Sequence, residues 1–122
     1  MVINMTLKEC YNLMNGDYDD VVGRLLKEER VEKYLGKFLQ ASDYGELINA
    51  VKEDNIEDIF RFAHNLKGIS MNLSFSRLYS SASDLCENVR DGIKKSDCAP
   101  FIERITADYN QIVESIKMYL GD

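Results

Sequence analysis

His64 is the only histidine in the chain, and imidazole is the side chain best suited to nucleophilic or proton-transfer chemistry near neutral pH. It sits in the stretch "FRFAHNLKGISMNL", residues 60 to 73, with Lys67 three positions on and Gly68 four positions on. If this stretch is helical, the three side-chain positions share one face, because residues three and four apart are neighbours on a helix surface. A glycine inside a helix costs about 1 kcal/mol relative to alanine. Removing a side chain one turn from an imidazole clears space, so that another molecule, or a group attached to the ring, can approach closely. A lysine beside the ring supplies a charge that stabilises an anion held there.

A helical wheel at about 100° per residue decides which way His64 points. Ile59, Phe62, Ala63, Leu66, Ile69 and Leu73 fall on an arc nearly opposite to it, which is the face expected to meet the core. His64 is therefore expected to face water. Phe60 and Met71 lie within about 40° of His64 on the same wheel. Two readings of this pair are open: an apolar contact patch around the histidine, or partial cover by an adjacent helix. Arg61 stands on the rim of the same face, where a solvated charge is the plainer reading.

The elements that must carry these residues can be read from caps and periodicity. Thr6 followed by Glu9 has capping-box spacing and opens a first helix, with Leu7, Tyr11 and Met14 as its apolar side and Gly16 as its stop. A second runs from about Asp17 to Leu26, and a third from Glu28 to Ala41 with Val31, Leu35 and Phe38 as its stripe. A fourth starts at Asp43 and buries Leu47, Ile48 and Val51. Asp54 or Asn55 caps the helix of His64, which ends near Leu73. The next spans about Phe75 to Arg90, stopped by Gly92, and a link "IKKSD" leads to a last helix from Ala99 to Leu120. Pro100 sits in that helix's first turn, where proline is tolerated.

No stretch reads as a strand. The expected fold is all-α: an antiparallel four-helix bundle over residues 28–120, with a short helical cap over residues 1–27, forming one domain over residues 1–122. A chain of 122 residues suits one core. The aromatic and leucine stripes belong to that core.

Composition excludes several function classes. Fifteen basic against twenty-one acidic residues give a net charge of −6, with no Lys/Arg cluster, which argues against nucleic acid and anionic membranes as partners. No apolar run approaches the ~20 residues of a spanning helix, and "MVINMTLKEC" lacks a signal-peptide pattern. A cytoplasmic location is the expectation. Cys10, Cys86 and Cys98 have no metal-type spacing and are expected as unbridged, reduced thiols. With a single histidine, a structural zinc site is not expected.

The stretch "AHNLKGISMNLS", residues 63–74, resembles the signature of the histidine-containing phosphotransfer (HPt) domain. That pattern is alanine-histidine-any-leucine-lysine-glycine, then small residues, then asparagine-leucine-glycine. The match covers Ala63, His64, Leu66, Lys67, Gly68, Ser70, Asn72 and Leu73. The segment "TLKECYNLMNGDYDDVVGRL" is similar to the N-terminal cap of a bacterial subgroup of these domains, and "SFSRLYSSASDLCENVRDG" to the following helix, so the likeness covers nearly the whole chain.

The resemblance implies a phosphorelay intermediate of two-component signalling. His64 would accept a phosphoryl group through Nε2 from the aspartyl phosphate of one receiver domain and pass it to another. Lys67 would neutralise phosphoryl oxygens, and Gly68 would leave room for the phosphorylated ring and the docking receiver. Phe60, Arg61, Met71 and Arg90 would contribute to the partner surface. The Mg²⁺ of this chemistry belongs to the receiver, so no cofactor is implied here. The chain carries no ATP-binding motif, so no kinase activity of its own is expected. Nothing in the sequence demands a dimer, and a monomer is expected. Alternatives within the same likeness are the acceptor domain of a larger histidine kinase, and a receiver-binding module without relay activity.

Two positions depart from the pattern. Ser74 stands where the helix-ending glycine is usual, and is read as an N-cap for the next helix. Counting along the helical hairpin places Cys86 where many members carry a polar residue facing the histidine, with Arg90 one turn further on.

Overall fold

The computed structural model describes residues 4–90 and 97–121, and these fold into seven helices. They are α1 (Leu7–Leu13), α2 (Tyr18–Leu25), α3 (Glu28–Gln40), α4 (Asp43–Lys52), α5 (Ile56–Leu73), α6 (Ser76–Arg90) and α7 (Ala99–Leu120). The helix starts follow local chemistry. Thr6 and Glu9 form the full capping box, Asp17 caps α2 through the Asp20 amide, and Asn55 caps α5 through the Asp58 amide. At α4 the N-cap is Ser42, without a side-chain cap bond. Asp43 lies inside the helix instead, and its carboxylate accepts a hydrogen bond from the Asn65 amide at 3.2 Å, tying α4 to α5. Gly92 and most of the "IKKSD" link lie outside the described residues.

Helices α4 to α7 make the antiparallel four-helix bundle, each packed on the next. The α5–α6 pairing runs antiparallel: the Arg90 guanidinium meets the Phe60 ring at one end and the Lys67 ammonium meets the Tyr79 ring further along. Tyr44 stacks on Tyr109 at 4.1 Å and its hydroxyl shares a 2.8 Å hydrogen bond with that of Thr106, joining α4 to α7. Helix α3, expected within the bundle, packs on α2 and α7 and makes a lesser contact with α5. The Tyr119 hydroxyl donates to the Glu32 carboxylate at 2.9 Å across its seam with α7.

The core is one cluster running from Leu7 to Ile116, with Val31, Leu35, Leu66, Phe75, Leu85, Ile105 and Ile112 all nearly or fully buried. Of the arc expected to face it on α5, Ile59, Ala63, Leu66 and Leu73 are buried, whereas Phe62 and Ile69 are half-buried at its edges. All three cysteines are buried and none is disulfide-bonded. Among the described residues no helix is long and apolar enough to cross a membrane.

The N-terminal cap is locked to the end of α5. The Tyr11 hydroxyl donates to the Leu73 carbonyl at 2.9 Å, and the Asp17 amide donates to the Ser74 carbonyl at 2.9 Å. Ser74 is not the N-cap of α6 that the sequence suggested. It is the C-cap of α5, in the left-handed conformation at φ 58°, ψ 39°. That is the role of the glycine it replaces. Its hydroxyl donates to Asp20 at 2.7 Å, an anchor that glycine could not provide and that offsets the left-handed strain of a residue with a Cβ.

Candidate functional site

Helix α5 presents His64 at the surface, exposed, while Ala63 and Leu66 on either side of it in sequence are buried. The imidazole stacks on the Phe60 ring, centroids 5.9 Å apart and planes within 17°. Phe60 is half-buried against the core, and the Arg90 guanidinium lies 5.8 Å from its centre. The two readings of the apolar pair therefore divide. Phe60 is a partly covered platform under the imidazole, while Met71 is 46% exposed, a large apolar side chain facing water.

Lys67 is half-buried, and its ammonium lies 6.0 Å from the centre of the Tyr79 ring on α6. This cation–π contact holds the charge over the α5–α6 seam without neutralising it with a carboxylate. Gly68 is open: beyond its own helix backbone, a methyl group built there would meet no atom within 4 Å among the described residues. Packing therefore gives no reason for this glycine, and alanine would fit the folded protein.

Cys86 is fully buried on α6. Burial pushes its thiol above the ordinary range, and the charges of Lys67 and Arg90 act against that rise. Arg90 is half-exposed and also pairs with Glu87 at 3.1 Å. Arg61 turns away from this group. It pairs with Asp58 at 3.0 Å and lies over the Phe62 ring at 4.6 Å, on the neighbouring flank of α5. Thus His64 and Arg90 both lie against the Phe60 ring, Lys67 lies against Tyr79 on the same α5–α6 seam, and Arg61 is engaged on the neighbouring flank.

Tyr79 was missed as a partner of Lys67. The count that places Cys86 and Arg90 opposite the His64 turn also places Tyr79 opposite the following turns, so the signal was present in the antiparallel register. Among the described residues no three His, Cys, Asp or Glu side chains gather as a metal site. What the face offers is an exposed imidazole, Lys67 one helical turn along α5, Arg90 against the Phe60 ring and open space at Gly68. That suits a group carrying negative charge delivered by another macromolecule.

No curated protein and no solved structure matches the chain. A family model, the Hpt domain, matches residues 33–115, which span most of α3 and the bundle up to the last turns of α7. The N-terminal cap, α1 and α2, lies outside the matched residues. Hpt domains are phosphotransfer modules that work with receiver domains in two-component phosphorelays and have no autonomous kinase activity. With more than half of its length matched and the helical bundle in place, this chain belongs to the Hpt domain family.

Proposed function

We propose that this protein relays a phosphoryl group between receiver domains through His64. The observation that carries the reading is the pairing of an exposed imidazole with an unfilled position one turn away, at Gly68. The chain forgoes helix stability there for space that no other described part of its fold occupies.

In the step proposed, Nε2 of His64 attacks the phosphorus of a receiver's aspartyl phosphate. The P–N bond forms, the acyl P–O bond breaks, and the receiver's carboxylate leaves. The reverse displacement delivers the group to a second receiver. Phosphoryl transfer asks mostly for positioning and charge stabilisation. The Phe60 ring fixes the imidazole plane by stacking, Lys67 faces the phosphoryl oxygens, and the receiver brings the Mg²⁺. Met71, Phe60 and Arg90 form the receiver's landing surface. Arg61 stands at its margin. The protein acts as a monomeric single domain in the cytoplasm, where receivers are charged, and has no kinase activity of its own.

The test is transfer from a receiver carrying labelled phosphate. The protein should acquire acid-labile, alkali-stable label, and His64→Gln should abolish it with the fold unchanged. Lys67→Ala should slow transfer by about a hundredfold or more, the scale of losing one charge-stabilising donor. Label that survives His64→Gln would remove the site assignment. Wild-type rates in Lys67→Ala would remove the electrostatic role.

A further inference from the structure

On the flank of α5 turned away from His64, a cavity of about 600 Å³ opens between α2, α3 and α5. Its volume is in the range of small-molecule sites. Leu25, Phe38, Ile69 and Leu73 give it an apolar interior, and Arg24 and Lys37 are its charged lining residues. Among the described residues no acidic side chain lines it, although the chain as a whole carries a net charge of −6. We propose that this cavity binds a small amphipathic anion, with its apolar body against Phe38 and Leu73 and its anionic group between Arg24 and Lys37.

The two cations are held in ways that leave them able to take an anion. The Lys37 ammonium rests 5.2 Å from the centre of the Tyr34 ring, a contact that fixes its position without cancelling its charge. Arg24 pairs with Asp20 through Nε at 2.8 Å, and that carboxylate also accepts the Ser74 hydroxyl. The pair orients the guanidinium, and both groups are near half-exposed. An anion that engages Arg24 there meets a prepositioned fork.

The inference stands apart from the phosphotransfer reading, since none of these residues belongs to the His64 face.

Titration calorimetry on the full chain tests it with three probes below their micellar concentrations: decanoate, decan-1-ol and decyltrimethylammonium. Decanoate should bind saturably at one site, with decan-1-ol at least about tenfold weaker and the cation weaker still. Lys37→Gln should weaken decanoate by about tenfold, the size of one charge-assisted contact, and leave decan-1-ol unchanged. Ala41→Phe, which fills the cavity, should remove binding of both. Amide chemical-shift changes on adding decanoate should centre on Phe38, Ile69 and Leu73 and spare His64. No saturable decanoate binding, equal affinity for the three probes, or decanoate affinity unchanged by Lys37→Gln would each overturn the proposal. The last of these does not depend on how Ala41→Phe folds.

Discussion

Gly16 and Gly68 lie at opposite kinds of surface. A methyl group at Gly16 would come within 2.8 Å of the Tyr11 ring and 3.0 Å of the Ser74 carbonyl oxygen, whereas one at Gly68 would meet nothing within 4 Å. The first glycine is required by the protein's own packing, where the N-terminal cap closes over the end of α5. The second answers to no internal contact. The difference separates a position that the fold fills from one that it leaves open, and the reasoning applies to any helix that carries an exposed face opposite a core seam.

The core seam should show the largest effect. Leu66 lies one residue before Lys67 yet is almost fully buried. Leu66→Ala should cost about 2–5 kcal/mol of stability in a urea titration. A loss under about 1 kcal/mol would mean that α5 is held mainly by its other contacts. Gly16→Ala comes next. Tyr11 or the Ser74 carbonyl must move to admit the methyl group, at a cost of about 1–3 kcal/mol. Gly68→Ala should do the reverse, stabilising the protein by about 0.5–1 kcal/mol through helix propensity. On the reading proposed here it should also slow phosphoryl transfer, and Gly68→Gln should slow it further. If Gly68→Gln transferred at the wild-type rate, the space beside His64 would have no functional meaning.

The smallest effect concerns pH. Hydrogen bonds from Arg24 and then Ser74 hold the exposed Asp20 carboxyl below its usual value of 3.8. A depressed carboxyl contributes stability at pH above its unfolded value and loses it as the pH falls through the lower folded value. Thermal unfolding followed from pH 5 downward should therefore show an acid-side loss beginning near 3.8 that is shallower in Asp20→Asn. An unchanged acid limb would show that the Asp20–Ser74 anchor contributes nothing measurable.

Much of this was legible in the chain because it is local. The capping box at Thr6 and Glu9, the proline in the first turn of α7 and the two-faced pattern of α5 depend on neighbours within a turn or two. Ser74 misled for the opposite reason. Serine is a common N-cap, and only the Asp20 carboxylate, 54 positions away in sequence, makes its left-handed role legible. The Arg61 placement needed the structure as well. The wheel puts it on the rim of the His64 face, but a long side chain goes where its partners are, and these are Asp58 and Phe62.

The sequence alone determined the helices, the core stripe and the shared face of His64, Lys67 and Gly68, because the helical period fixes direction for every residue on a helix. Tertiary structure decided what stands around that face. The antiparallel register of α5 and α6 brings Arg90 to Phe60 and Tyr79 to Lys67. It was also packing that left Gly68 open and closed Gly16, since the space beside a residue depends on chain segments its local sequence does not specify.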